Sequence, residues 1–134
     1  MKVLVACESS AVVRTAFEGL GVNAISCDLL PSEIPGNHYQ GDVRDILYDG
    51  YDAIIAHPPC TRLCNSGVRW LHERDLWNEL DEACDFFKLF LDVDCECVVI
   101  ENPIPHKYAI QRIGVKYDQT QYPKNHTTSD HAAK

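Results

Sequence analysis

Short apolar runs alternate with amphipathic segments along the chain. Residues 2–7 form an apolar run without polar alternation, which is typical of a strand buried on both faces. The polar residues 8–10 predict a helix N-cap, and apolar positions at helical spacing follow over residues 12–20. A second apolar run at 22–27 ends at Asp28. The chain therefore begins with a predicted strand, helix and strand.

The pattern changes after Asp28. Residues 29–41 contain two prolines and two glycines and predict a long loop. A short helical turn at 43–47 and a third apolar run at 51–56 follow. The longest helical periodicity covers residues 75–91, and another strand-like run lies at 96–100.

The remaining segments, residues 61–72 and the last thirty residues, show no regular pattern, and residues 122–134 are expected to form a weakly ordered tail. Alternating strands and helices predict an α/β fold. We expect one Rossmann-like domain over residues 1–121. Its sheet should be open, mostly parallel and of about five strands, with helices on both faces.

Composition narrows the class of protein. The chain has 134 residues, 46% of them apolar and 24% charged, as in ordinary globular domains. Its apolar runs are shorter than the roughly 20 residues that a membrane span needs, and no secretory leader follows Met1. We expect a cytoplasmic protein that does not enter a membrane and whose seven cysteines are thiols.

The net charge of −8 is unevenly distributed. Residues 73–96 hold nine acidic and two basic side chains, a net charge of −7. From Asn102 onward, five basic and two acidic residues give +3. The overall acidity therefore does not exclude DNA as a partner, because a basic face remains available.

The candidate functional residues lie at the ends of the predicted strands or directly after them. In open parallel sheets, ligands bind outside the carboxyl ends of the strands. Asp28 ends the second strand, where an acid suits the two hydroxyls of a ribose. The third strand leads into Pro58, Pro59 and Cys60, and the last into Glu101.

Two short motifs together resemble the signature of the DNA cytosine-5 methyltransferases. The first is residues 58–60, and the second is Glu101-Asn102, some forty residues later. More closely, residues 2–119 are similar to small methyltransferase-like proteins commonly encoded by bacteriophages, where stretches like 27–33 and 56–60 are expected. For a phage-encoded protein the location would be the host cytoplasm. Each motif is short, and their order and spacing carry the resemblance.

The resemblance implies S-adenosylmethionine as cofactor and cytosine in DNA as substrate. The Cys60 thiolate would add to C6 of the cytosine, and Glu101 would assist at N3. Asp28 would bind the ribose of the cofactor and Asp42 the adenine amino group. The residues implied for the cofactor are Ala6, Cys7, Glu8, Ser10, Asp28, Leu29, Asp42, Val43 and Pro58. Those implied for DNA are Pro59, Arg62, Arg69 and Asn102.

The sequence departs from the family in three places. The loop at 7–12 lacks the usual glycines, and Ala11 stands where one is expected. Thr61 replaces the glutamine that usually follows the catalytic cysteine. The chain also ends before the target-recognition domain and the last two strands, so the strand before Glu101 should lie at a sheet edge. We expect a second copy of the chain or the folded-back tail to cover it.

A zinc site and a non-catalytic protein are the two other interpretations to weigh. His57, Cys60 and Cys64 do not match the usual spacing of zinc ligands, so no metal site is predicted. A non-catalytic descendant would keep the cavity to bind a nucleotide, or would use the acidic helix at 75–91 to block a host protein.

Overall fold

The structure, a computed structural model, describes residues 1–114. Within it the chain divides into two compact units. The sheet unit comprises Met1–Pro58 and Leu89–Glu101, and the helical unit comprises Pro59–Lys88 and the described residues from Asn102 to Gly114. The predicted domain end at residue 121 and the predicted tail at 122–134 lie outside the described residues.

The sheet unit contains a five-stranded parallel sheet of order β3-β2-β1-β4-β5. Its strands are β1 (Lys2–Ala6), β2 (Asn23–Asp28), β3 (His38–Gln40), β4 (Ala53–Ala56) and β5 (Cys97–Ile100). The predicted α/β, Rossmann-like fold is confirmed.

β1 lies at the centre of the sheet. Its Val3, Leu4, Val5 and Ala6 are completely buried, as the absence of polar alternation predicted. Helix α1 (Val12–Gly19) contributes apolar side chains to this core. Val13 and Phe17 pack against the cluster of Val3, Val5 and Ala24. Because α1 packs against β1, the loop that connects them is held at the carboxyl end of β1.

β3 lies within a segment that was predicted to be a loop. Residues 38–40 have the sequence His-Tyr-Gln, which carries no apolar run, so sequence pattern alone does not reveal a strand. The strand forms because it pairs with the end of β2, with Cys27 opposite Tyr39.

β5 occupies the edge of the sheet, as predicted. Its residues alternate between exposed and half-buried, and Val99 is 53% exposed. Such an edge presents unpaired backbone groups. The tail that was predicted to cover it lies beyond the residues that the structure describes.

Among the described residues, three α-helices contribute to the helical unit: α2 (Val68–Arg74), α3 (Trp77–Asp92), whose last residues belong to the sheet unit, and α4 (Lys107–Ile113). They pack around a cluster of buried residues that consists of Leu63, Leu71, Leu80, Cys84 and Ala109. The prediction that residues 61–72 are irregular was wrong in its second half, and α4 was missed. Both helices have seven residues, too few for a clear 3.6-residue period.

The predicted start of α3 at residue 75 was also wrong by two residues. Asp75 adopts a left-handed conformation with φ 52° and ends α2, so α3 begins at Trp77. None of the helices within residues 1–114 is long and apolar enough to cross a membrane.

Candidate functional site

The carboxyl ends of β2, β1 and β4 border an open cavity of about 310 Å³ in the sheet unit. This is where parallel sheets bind ligands. The lining residues are Cys7, Glu8, Ser9, Ser10, Val12, Val13, Asp28 and His57. Cys7, Glu8, Ser10 and Asp28 were among the predicted cofactor-binding residues, and the structure brings these four together. Ser9, Val12, Val13 and His57 were not among the predicted cofactor-binding residues.

The loop from β1 to α1 turns sharply without glycine. Cys7 has φ 60° and Ala11 has φ 61°, both in the left-handed region. Each non-glycine residue held there costs roughly 1–2 kcal/mol. Ala11 therefore has the conformation that the expected glycine would adopt, so its presence does not alter the path of the backbone.

Glu8 is the helix cap of α1. It is 6% exposed, and its carboxylate accepts hydrogen bonds from the backbone amides of Val13 at 2.7 Å and Arg14 at 3.2 Å. The predicted cap within residues 8–10 thus exists, but the N-cap position itself is Ala11, which has no side-chain cap. The carboxylate neutralises the positive end of the helix, where a phosphate would otherwise bind.

Asp28 ends β2 at one side of the cavity. One of its oxygens, Oδ1, accepts a hydrogen bond from the backbone amide of Leu30 at 2.9 Å. The second oxygen, Oδ2, can accept from a ligand. Leu29, also predicted to bind the cofactor, is 73% exposed and does not line the cavity.

Asp42 and Val43 do not line the cavity either. The Asp42 carboxylate caps the short 3-10 helix Val43–Asp45 and pairs with the Arg44 guanidinium at 2.9 Å. The hydrogen bond from the Arg44 backbone amide is the main cause that lowers the pKa of Asp42. Val43 is buried in the core.

Two thiols lie at this end of the sheet. Burial, followed by the charge of Asp28, raises the pKa of Cys7 to about 12. Burial and the same carboxylate raise the pKa of Cys27 to about 11. Both thiols are protonated near neutral pH, so neither is a nucleophile there.

Arg14 anchors the loop that follows Asp28. It is completely buried and donates hydrogen bonds to the carbonyls of Ile34 at 2.8 Å and Pro35 at 3.3 Å. A Cβ at Gly36 would lie 2.6 Å from its Nη2 atom. Sequence reasoning missed this role, although an arginine beside the apolar stripe of a helix was the available indication.

Two further residues predicted to bind the cofactor, Ala6 and Pro58, lie next to lining residues in the chain but do not line the cavity themselves. Ala6 is the last residue of β1 and is completely buried, and its carbonyl accepts a hydrogen bond from the His57 backbone amide at 3.0 Å. Pro58, which follows, is buried. Neither contributes a side chain to the cavity lining.

Cys60 belongs to the helical unit and is half-buried. Its carbonyl accepts hydrogen bonds from the amides of Leu63 at 2.9 Å and Cys64 at 3.0 Å, which close a turn. A Cβ at Gly67 would lie 2.2 Å from the Thr61 carbonyl oxygen, so the loop is tightly packed.

His106 holds the same loop. The His106 ring is buried and Nδ1 accepts a hydrogen bond from the Ala109 amide at 3.1 Å. Nε2 therefore carries the proton and donates to the Arg62 carbonyl at 2.7 Å. This histidine links the start of α4 to the turn after Cys60.

The arginines predicted to hold phosphates form ion pairs within the helical unit. Arg62 pairs with Glu79, and Arg69 with Glu73, both at 2.7 Å. The Arg69 side chain is 73% exposed, and such exposed pairs contribute little free energy. A phosphate would compete with a carboxylate at each position. Pro59, also predicted to contact DNA, is exposed.

Glu101 directly follows β5 and belongs to the sheet unit, whereas Asn102 belongs to the helical unit. The Glu101 side chain is exposed, and its backbone amide donates to the Ala56 carbonyl at 2.9 Å. The Asn102 amide nitrogen and oxygen are buried and have no hydrogen-bond partner among the described residues. The two residues predicted to act together, Cys60 and Glu101, thus belong to different compact units.

Comparisons of the chain with protein-family models, with curated proteins and with solved structures give no match. Within residues 1–114, no group of three or more histidine, cysteine, aspartate or glutamate side chains is placed to hold a metal ion.

Proposed function

We propose that the protein is methyltransferase-like and binds S-adenosylmethionine in the cavity of the sheet unit. The observation that carries the proposal is the Glu8 carboxylate on the first amides of α1. A phosphate at this position would meet a carboxylate in place of the hydrogen-bond donors that nucleotide phosphates need. Together with Asp28, the cavity favours a nucleoside whose substituent is positively charged, as the sulfonium of S-adenosylmethionine is.

The cavity residues fit such a nucleoside. A volume of about 310 Å³ lies at the lower end of the range of roughly 300–1,000 Å³ for small-molecule sites. Asp28 would accept hydrogen bonds from the ribose hydroxyls through Oδ2. The anchored loop after Asp28 limits the conformational entropy that binding would cost, because the buried Arg14 already holds it.

The chemistry proposed at cytosine belongs to residues outside the cavity lining. S-adenosylmethionine supplies an electrophilic methyl group. Cys60 would add to C6 of the base, with Glu101 assisting at N3. Asn102 would contact the base, because its amide carries both a donor group and an acceptor, as a nucleobase edge does.

Ligand selectivity tests the cavity proposal. The protein should bind S-adenosylhomocysteine at least about tenfold more tightly than ATP, because Glu8 repels the phosphates. Isothermal titration calorimetry with both ligands measures the ratio. Equal or tighter binding of ATP would contradict the proposal.

Cys60→Ala tests the chemistry. The wild-type protein should transfer labelled methyl groups from S-adenosylmethionine to cytosine in DNA, and the variant should not, while it still binds S-adenosylhomocysteine. Cys64→Ala is the matched control, because Cys64 is a half-buried thiol in the same loop, and it should retain transfer.

A non-catalytic nucleotide-binding protein is the second candidate. It is favoured by one observation: every cavity-lining residue belongs to the sheet unit, so binding draws on neither Cys60 nor Asn102. Wild-type protein that binds S-adenosylhomocysteine but transfers no methyl group would establish it. The alternative that helix α3 blocks a host protein through its acidic face has less support. Two carboxylates of this helix, Glu79 and Asp81, form ion pairs with Arg62 and Arg112.

A further inference from the structure

Hydrogen bonds, and not buried side chains, hold the turn after Asp28. The Leu29 and Leu30 side chains are both exposed, Leu30 by 61%, so apolar packing does not fix the backbone there. The Leu30 amide nonetheless donates to Asp28 Oδ1 at 2.9 Å, which sets the orientation of this cavity-lining carboxylate. The groups that hold Leu30 in place therefore also determine where Asp28 Oδ2 points.

His38, the first residue of β3, holds Leu30 by its carbonyl group. The ring atom Nε2 lies 3.0 Å from the Leu30 carbonyl oxygen. A carbonyl oxygen accepts and never donates, so Nε2 carries a proton and donates it to this bond. A second contact from β3, between Gln40 Nε2 and the Leu29 carbonyl, is longer at 3.3 Å. Leu30 thus connects Asp28, through its amide, to His38, through its carbonyl.

The other nitrogen of the His38 ring also has a defined partner. Ser26 of β2 lies opposite His38 in the strand register, and its Oγ is 2.8 Å from Nδ1. Ser26 is completely buried, and its oxygen accepts a hydrogen bond from Arg14 Nη1 at 3.2 Å. With Nε2 protonated, Nδ1 of the neutral ring accepts from the Ser26 hydroxyl. The hydrogen bonds therefore run in one direction, from the buried Arg14 through Ser26 to His38.

We infer that His38 is a positioning residue for the carboxylate that binds the ribose. By fixing Leu30, it orients Asp28 so that Oδ2 faces the ribose hydroxyls of the ligand. This inference rests on the proposed function, in which Asp28 binds the ribose. Without the Nε2 donor the exposed turn is free to move, and binding must then order both the turn and the carboxylate, which weakens affinity.

A double-mutant cycle of His38→Ala and Asp28→Asn tests whether His38 acts through Asp28. In the wild-type background, His38→Ala should weaken binding of S-adenosylhomocysteine about three- to tenfold, as the loss of one hydrogen bond does. In the Asp28→Asn background it should weaken binding less than about twofold, because the carboxylate that it positions is no longer there. Calorimetric titration of all four proteins measures both ratios.

Three further variants separate positioning from a general effect on the fold. His38→Gln places an amide donor near the Leu30 carbonyl and should restore most of the affinity. His38→Met has a similar size but no donor, and it should not restore it. Tyr39→Phe is the matched control, because Tyr39 lies on the same strand while its hydroxyl donates to Asp45 at 2.8 Å. This control should bind as wild type does.

The outcomes separate this inference from the proposed function. If wild-type protein does not bind S-adenosylhomocysteine, the proposed function fails and the inference with it. If it binds and Asp28→Asn weakens binding, but His38→Ala has no effect or weakens both backgrounds equally, the inference alone is overturned. Should the His38 variants not fold, nitrogen-15 NMR of wild-type protein determines the tautomer of this ring. A proton on Nε2 that is retained when the ligand binds supports the inference, and a proton on Nδ1 alone overturns it.

Discussion

Cys7 and Ala11 adopt backbone conformations that glycine would adopt at lower cost. The sequence pattern located the cavity loop correctly but treated the missing glycine as a departure. The local geometry depends on Glu8, whose carboxylate reaches the helix amides across the turn. Sequence spacing predicts which strand ends meet. It does not predict which side chains form hydrogen bonds with the backbone and which are available to a ligand.

Ala11→Gly should change the free energy of unfolding by less than about 1 kcal/mol in either direction. Removing the strain of a left-handed alanine, roughly 1–2 kcal/mol, offsets the loss of one buried methyl group, about 0.8 kcal/mol, and the extra entropy that glycine gives the unfolded chain, about 0.5–1 kcal/mol. Urea denaturation measures the effect. Ala24→Gly is the matched control, because Ala24 is equally buried but lies in an ordinary strand, and it should destabilise the protein by about 1 kcal/mol or more. Equal losses in both variants would contradict the strain argument.

Cys7 and Cys27 should resist alkylation. With pKa values of about 12 and about 11, at pH 8 only roughly one in ten thousand and one in a thousand of these thiols is ionised. Iodoacetamide followed by peptide mass spectrometry should modify exposed Cys97 long before either.

The same shifts give a pH dependence of stability. Because the folded protein retains these protons above pH 9.0, the ordinary pKa of a cysteine, stability should fall as pH rises from there towards 12. The double variant Cys7→Ala/Cys27→Ala should show a shallower fall in urea denaturation. Rapid labelling of Cys7 in folded protein, or an unchanged slope in the variant, would contradict the shifts.

At the scale of elements, short apolar runs and helical periodicity predicted β1, α1, β2, β4, α3 and β5. β3 forms through its pairing with β2, and the His106 cap of α4 is itself held by the Arg62 carbonyl. The turn after Cys60 depends on contacts with residues about 44 positions later, such as that between Arg62 and His106. A local sequence pattern holds no information about such contacts.

Gly67→Ala should disrupt the loop that begins at Cys60. Its new Cβ would lie 2.2 Å from the Thr61 carbonyl oxygen, a backbone atom that cannot move alone. We expect a loss of about 2 kcal/mol or more, as for overpacking of a tight site. Gly19→Ala in α1, where no atom lies within 4 Å of the new Cβ, should be neutral or stabilising. Thermal denaturation of both variants measures the difference, and equal midpoints would contradict the packing argument.

At the scale of the whole molecule, the edge strand β5 is expected to be covered by further protein. Val99 and its neighbours present an apolar edge strand, which natural proteins cover. A second copy of the chain or the C-terminal tail remains the expected cover. Light scattering across concentrations, combined with limited proteolysis, tests it. A monomer at every concentration, whose tail is removed easily without loss of stability, would contradict the prediction.

We propose above all that the cavity at the ends of β2, β1 and β4 binds S-adenosylmethionine through Asp28. Calorimetric titration of wild-type protein, Asp28→Asn and the exposed control Asp94→Asn tests it most directly. Wild-type protein and Asp94→Asn should show saturable binding at one site, and Asp28→Asn should bind at least about tenfold more weakly. No heat of binding to wild-type protein at millimolar ligand, or equal affinity in all three proteins, would contradict it.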